Sequence, residues 1–564
     1  MIVKNVVFII YVLCCVLGSI NIIAQTTRNI GFRLPMDVPL NLAGSFGEPR
    51  KDHFHSGIDI KTNGKEGQPV FSIGDGYISR IKVSPYGYGK AIYITHKNGY
   101  TSVYAHLNKF FGAIESYIQQ QHYLLKKSEL DIYLAATKFR VTKNDTIAFS
   151  GNTGGSSAPH LHFEIRDTKT EHALNPLDFY PKEFYVDTIP PQLNKIKIYQ
   201  FDSLFYDSET AVYTLQHKED YFTTDSVILI NGKSKFCFSL EGFDKQDNSE
   251  NKNGINRIEV YQLDSLVFKY DLTEIDFDKT RMCNAFVDYN EMMTNNGYFY
   301  NCYQLKNNTL DFYLKKFLFA KIKNGENVFN IFCYDYNNNK TKINLTIVKK
   351  ETDEITTDTV LSKSAAVLKN IKYQHTDSLS YKAFKIKFNN NTFFDNIYIN
   401  VKQIQGDIFH VANIDSQQLT PLQKPAKIEF KSSIKKNSNK VVIVLQDNKG
   451  KESALKTTFD KTKFYAETKE LGTFYLKYDT TKPEIKILNL KSESININIS
   501  DKLSGIGSYN VYIDNKWTNF YYDAKNDILE YNYDKTLTTG KHNLKIIVTD
   551  NVGNKNTLTH NFTY

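Results

Sequence analysis

Three alternating runs in the second part of the sequence each close on an Asp/Asn-rich turn: Tyr334–Lys340, Gln446–Lys451 and Thr549–Lys555. A strand, a tight polar turn and a returning strand is the rhythm of a β-sandwich. Its recurrence predicts about three such domains in series, over residues 186–350, 365–478 and 482–564. The punctuation agrees. Asp187-Thr188-Ile189-Pro190-Pro191 and Asp479-Thr480-Thr481-Lys482-Pro483 are near copies, and proline ends regular structure. Residues 351–364 are polar enough for a linker. The sequence holds 38 Tyr and 38 Phe against a single Trp, and aromatic side chains suit strands. With 41% apolar and 23% charged residues over 564 positions, the chain reads as globular and mainly β, with length for several cores.

The net charge of +9 is spread along the chain. No basic block stands out, which argues against a nucleic-acid partner. At the start, Lys4 precedes an apolar run from Val6 to Leu17 that continues to Ala24. Residues 1–24 therefore read as a secretory signal peptide, cut after Ala24. An uncleaved anchor is the other reading, because the run approaches the ~20 residues that span a bilayer. Gly18, Ser19 and Asn21 weaken it, and Cys14 and Cys15 lack the small-residue lead-in of a lipidation site. No later run is long enough to span a membrane. Either reading exports the chain, to the periplasm, the cell envelope or outer surface, or the medium. Export permits disulfides among Cys237, Cys283, Cys302 and Cys333, and buried free thiols are the equal alternative. Nothing in the sequence sets an oligomeric state.

Residues 46–180 differ from the rest of the chain. They hold most of the glycine-centred turns and most of the histidines. Short strands are predicted at 69–73, 76–83, 91–96, 100–105, 146–150 and 161–166, separated by turns such as Asn63-Gly64 and Asn98-Gly99. This predicts an antiparallel β domain, preceded by an extended lead-in over 25–45. One segment interrupts it. Ile114, Tyr117, Ile118, Gln121, Leu124 and Leu125 share a helical stripe, which predicts a helix over 113–128 and then a loop to about Phe139.

The chemistry concentrates in the same region. Gly151-Asn152-Thr153-Gly154 opens a turn-rich loop that enters a strand at His160-Leu161-His162-Phe163-Glu164. Residues two apart in a strand share a face, so His160 and His162 stand side by side while Leu161 and Phe163 pack behind. His55 and Asp59 lie four apart in a segment that Gly57 and Ile58-Asp59-Ile60 mark as extended, so they too share a face. Tyr104-Ala105-His106-Leu107 closes another strand on a histidine. Each passage alone fits a surface pair or a core histidine. Their conjunction in one small domain is what carries weight. Catalytic zinc sites use three protein ligands and leave a fourth position for water, and two spare imidazoles suit acid–base hydrolysis. Of the other histidines, His53 does not fit the spacing, His96 reads as structural, and His122 and His172 read as surface residues.

These three passages together resemble the lysostaphin/LytM-type zinc endopeptidases, over roughly residues 46–180. The resemblance implies a lysostaphin-like antiparallel β peptidase domain followed by immunoglobulin-like sandwiches. It implies one zinc ion held by His55, Asp59 and His162, with His106 and His160 as catalytic residues. It implies peptidoglycan peptides, cross-links or stem peptides, as substrate. Two departures stand out: the helical insertion at about 109–140, which could wall the groove, and Lys143-Asn144-Asp145 where a glycine is usual, a turn that Asn can keep. Two other functions remain open: an envelope protein of this fold that activates another hydrolase, or an adhesion or scaffolding chain whose sandwiches act as spacers or polymer binders.

Overall fold

In the computed structural model the predicted alternation becomes strand along nearly the whole chain. The structure describes residues 28–564 apart from 29, 202–205, 207, 231–234, 248, 318, 351–366, 415–417, 435, 491–493 and 533–536. The signal segment and the 351–364 linker lie outside the described residues. Among those described, no helix is long and apolar enough to cross a membrane.

The N-terminal unit is built from β1 (Leu42–Gly44), β2 (Ile58–Lys61), β3 (Pro69–Phe71), β4 (Gly76–Val83), β5 (Lys90–His96), β6 (Tyr100–Ala105), β7 (Lys109–Phe110), helix α1 (Gly112–Leu125), β8 (Leu130–Tyr133), β9 (Arg140–Val141), β10 (Thr146–Phe149), β11 (His160–Asp167) and β12 (Ala173–Leu174). The main sheet runs β1-β2-β11-β6-β5-β4-β8, and a small sheet, β3-β10-β7, packs beside it. The lead-in is thus an edge strand, with Leu42 opposite Ile60. Strand β11 sits centrally. Its register sets His162 against Asp59 on one side and against Ala105 on the other, so three separate passages of sequence meet at one point. Leu161, Phe163 and Ile165 fill the core behind it with no solvent exposure.

The insertion differs from its expectation in two ways. Helix α1 buries Ile114, Ile118 and His122, while Leu124 and Leu125 face solvent. His122 is therefore no surface residue: it is 3% exposed, and its Nδ1–H donates to the Lys127 carbonyl at 2.7 Å, where the chain leaves the helix in a left-handed conformation at Lys126. The expected loop after it contains β8, because Leu130-Asp131-Ile132-Tyr133 alternates and extends the sheet beside β4. The turn at Lys143-Asn144-Asp145 is kept, with Asn144 at φ 80°.

In the next unit the two sheets of a sandwich share a strand. Its strands form one continuous 11-stranded sheet. Strand Glu209–Lys218 pairs with Gln192–Phe201 and, at its far end, with Tyr221–Thr224, so one strand serves both faces. A helical excursion fills 277–295. Then come a pair of six- and five-stranded sheets and a pair of four-stranded sheets. Cys237, Cys283, Cys302 and Cys333 are free thiols without solvent exposure, so the disulfide alternative fails.

The apolar cores are distributed unevenly. One cluster runs without a break from Met36 through the N-terminal unit and the 11-stranded unit to Phe394, whereas the last two sheet pairs have separate cores. Across the first joint, β12 pairs with strand Glu274–Ile275. Phe54 meets Phe286 and Phe312 at ring separations of 5.4 and 5.7 Å. Gly47, at φ 75°, leaves room for Leu272, whose Cδ1 would lie 2.9 Å from any Cβ there.

Candidate active site

His55 sits in the loop before β2, fixed by its own backbone: Gly47 N–H donates to the His55 carbonyl at 2.8 Å, and His55 N–H donates to the Glu48 carbonyl at 2.9 Å. Position 57 is glycine because nothing larger fits; a Cβ would lie 2.3 Å from the Phe163 carbonyl oxygen. The His55 Nδ1–H donates to the Ser45 carbonyl at 2.7 Å. That assignment makes Nε2 the lone-pair atom, and it points at Asp59 Oδ1 and at His162 Nδ1, 3.0 Å from each. On the far side of the His162 ring, Nε2–H donates to Glu164 Oε1 at 2.8 Å. His162 Nδ1 therefore faces inward, 2.9 Å from Asp59 Oδ1.

The two other predicted histidines complete the cluster. His106 comes directly after β6 with a left-handed φ of 57°, which turns its ring back over the sheet. Its Nδ1–H donates to the Thr153 carbonyl at 2.8 Å. His160 Nδ1–H donates to the Ala158 carbonyl at 2.8 Å, leaving Nε2 at 3.3 Å from Asp59 Oδ1 and without a hydrogen bond. The His106 ring lies 4.8 Å from that of His160 and 5.8 Å from that of His162. All five predicted residues thus converge. Each imidazole has one nitrogen tied outward to a carbonyl or carboxylate, so the remaining lone pairs are turned on one small volume.

His55, Asp59 and His162 present one ligand atom each, all within 4.8 Å of one another. Two imidazole lone pairs facing each other across a carboxylate oxygen repel unless a proton or a cation lies between them. The donor set, two nitrogens and one carboxylate oxygen, is that of a borderline-soft divalent metal, so the residues fit a zinc ion.

Burial works against the Asp59 carboxylate, but His55, His160 and His162 outweigh it and hold its pKa well below the usual range. Burial lowers His55 to about 4 and, with the neighbouring His162 and His160 rings, lowers His106 to about 3. For His162, burial is overcome by hydrogen bonds to Asp59 and Glu164, which raise it to about 9; a cation binding Nδ1 would displace that proton.

Sequence reasoning gave no role to the residues behind the imidazoles. Glu164, fully buried, receives His162, Ser56 Oγ, Tyr88 OH and Arg166 Nε, at 2.8, 2.5, 2.5 and 2.6 Å. Arg50 Nη2 donates to Asp59 Oδ2 at 3.1 Å. The signal for Glu164 was the continuation of the same spacing of two from His160 and His162. No spacing pointed to Ser45, Arg50 or Tyr88. Of the remaining histidines, His53 is exposed beside Asp52. His96 is buried and bonded to the Asp75 carbonyl and Ser102 Oγ. His172, read as a surface residue, is half-buried and paired with Glu274 across the joint.

The loop over 151–158 forms one wall of the cluster, and the last sheet pair rests on it. Tyr521 OH accepts from Gly154 N–H at 3.3 Å and donates to the Ser84 carbonyl at 3.1 Å. Lys525 Nζ donates to the carbonyls of Asn152 and Ser156 at 2.5 and 2.9 Å. Tyr123 on α1 meets Trp517 at 5.8 Å.

Residues 53–126 match the model of Peptidase family M23, and residues 369–479 match that of the Zu5-like domain. The peptidoglycan DD-endopeptidase ShyB of Vibrio cholerae is 30% identical over 138 residues, 24% of this chain and 27% of that protein. The DD-carboxypeptidase/endopeptidase Mpg of Neisseria meningitidis is 34% identical over 112 residues, 20% of each. Among solved structures, the catalytic domain of the antimicrobial peptidase lysostaphin from Staphylococcus simulans is 26% identical, covering 22% of this chain and 78% of that one, with a TM-score of 0.17. The chain spans about a quarter of the length of the first curated relatives it matches.

Proposed function

For a chain that carries a peptidase family M23 domain, we propose an exported, zinc-dependent metalloendopeptidase that hydrolyses peptide bonds in peptidoglycan cross-links or stem peptides. The observation that carries this reading is the inward convergence of four imidazoles on Asp59, each fixed from behind. His55 Nε2, Asp59 Oδ1 and His162 Nδ1 hold the metal. When bound, zinc supplies Lewis acidity toward the scissile carbonyl and acidifies water.

The chain's own groups do the rest. Ser45 and Glu164 orient the two ligand imidazoles, as partners behind metal-bound histidines do. His106 is neutral at neutral pH, because its pKa is lowered to about 3, so its free nitrogen accepts the proton of the attacking water. The proton gained from that water is the one returned to the leaving amine, by His106 or through His160 Nε2, a second inward lone pair without a hydrogen bond, and the imidazolium formed on the way supports the developing oxyanion. Helix α1 and the last sandwich bound the groove and narrow the peptide it accepts. Relatives named as peptidoglycan DD-endopeptidases support the substrate.

The test is digestion of purified sacculi by the full chain. Soluble muropeptides should appear, and both a chelator and His162→Ala should abolish them. His160→Ala should keep the bound zinc yet lose at least 100-fold in rate. Cleavage that persists with chelator and in His162→Ala would refute the metal assignment. A zinc-loaded chain that cuts no peptidoglycan would instead favour a non-catalytic activator.

A further inference from the structure

The linker into the 11-stranded unit carries Asp187, 5% exposed. Asp244, 3% exposed, follows strand Lys235–Phe243, and Asp335, 2% exposed, follows strand Gly325–Tyr334. One oxygen from each lies within 4.8 Å of the other two. Three carboxylates buried this closely stay ionised only with a counter-charge. None is present in the protein: among the described residues no ion pair reaches any of the three.

Their remaining bonds do not explain them. Asp335 accepts from Asn339 N–H at 2.8 Å and from Asn339 Nδ2 at 2.6 Å, and Asp187 Oδ1 accepts from Ile189 N–H at 3.0 Å. Asp187 Oδ2 and Asp244 Oδ1 are buried with no hydrogen-bond partner at all, as is the amide oxygen of Asn337 on the same turn. The Asn337 Nδ2 donates to the Asp187 carbonyl at 3.2 Å, which keeps that amide at the cluster. Buried oxygens of this kind are normally paired.

A second copy of the arrangement shows which part is scaffold. In the last sheet pair Asn554 Nδ2 donates to the Asp479 carbonyl at 2.9 Å and to Asp550 Oδ2 at 2.7 Å, as Asn339 does to Asp187 and Asp335 at 2.8 and 2.6 Å. That trio, Asp479, Asp501 and Asp550, also lies within 4.8 Å, but there backbone N–H groups reach both oxygens of Asp479, from Thr481 and Ser504, and Leu503 and Gly505 donate to Asp501 Oδ1. The turn is shared. Of the two trios, only the first holds buried carboxylate oxygens without a hydrogen-bond partner.

From this geometry we infer that Asp187, Asp244 and Asp335 bind a hard divalent cation of calcium size, which pins the inter-domain linker to the end of the 11-stranded sheet. All its donors are oxygens, as calcium prefers and zinc does not. The site is separate from the histidine cluster and independent of its function.

The test is a calcium titration of the full zinc-loaded chain, followed by calorimetry and by the melting temperature, with no chelator present. One saturable calcium site and a rise in melting temperature are expected. Asp244→Asn should weaken binding at least 10-fold and remove the rise, whereas Asp501→Asn in the second copy should leave both intact. If Asp244→Asn fails to fold, Asp187→Asn gives the same reading. No saturable binding up to about 10 mM, well above extracellular calcium modules, would overturn the inference. So would equal binding by wild type and both cluster variants.

Discussion

Two parts of the chain touch the N-terminal unit, and they do so by different physics. The 11-stranded unit is fused to it through a shared sheet and a continuous apolar core, with Phe54, next to the predicted ligand His55, wedged between Phe286 and Phe312. The last sheet pair rests on the same unit through Tyr521 and Lys525, mostly by hydrogen bonds to loop carbonyls, and keeps its own core. The first contact is built like the inside of a domain, and the second like a transient interface. The difference teaches that the working unit comprises the peptidase domain plus its neighbour, with the last sandwich as a detachable cover on the 151–158 wall.

The largest effect should separate the two by deletion. A chain ending at 186 should be insoluble, because it exposes the face covered by Leu272, Phe286 and Phe312. A chain ending at 478 should keep its fold, read by circular dichroism and proteolysis. If residues 28–186 fold alone, the fused reading fails. Point changes should follow the same order. Phe286→Ala should cost about 3–5 kcal/mol in denaturant unfolding and lower the proposed peptidase activity through the His55 loop. Tyr521→Phe removes only the hydroxyl at the light contact and should cost about 1 kcal/mol.

A further check is a titration at the fused joint. Tyr336 OH donates to Asp178 Oδ1 at 3.0 Å, and burial raises the Asp178 pKa from 3.8 to about 6. An acid whose folded value exceeds its unfolded one favours folding when protonated. Its contribution is full below pH 3.8 and is lost as pH rises through about 6. Asp178→Asn should flatten the melting temperature over that window. An unchanged profile would show that Asp178 reaches water.

The histidine cluster was legible because it obeys local rules. His160 and His162 follow the period of a strand, whereas His55 lies in the loop before the strand that holds Asp59 and not on a shared extended face. What stayed hidden depends on where distant strands lie. Ser45 reaches His55 only because the lead-in pairs as β1. Arg50 reaches Asp59 across a loop. The shared strand of the 11-stranded unit left no mark in the sequence, because one strand serving both faces has the same alternation as two strands. The helical stripe placed α1 correctly but could not show that His122 faces inward, since burial there depends on the β-strand after the helix. The Asp187 and Asp479 punctuation was visible as a repeat, yet its charge became meaningful only when folding brought Asp244 and Asp335 to it.

The Ser45 carbonyl has a consequence for anyone who would transplant this site. A graft that starts at residue 53, where the family match starts, and runs on through β11 carries every predicted ligand and proton carrier. It leaves behind the oxygen that holds the Nδ1 proton of His55. Without that oxygen the ring can flip and present a proton where a lone pair is needed. A chimera that starts at the family boundary and ends after β11 would therefore inherit the full set of residues and still lack the tautomer that makes them work; the lead-in segment has to travel with it.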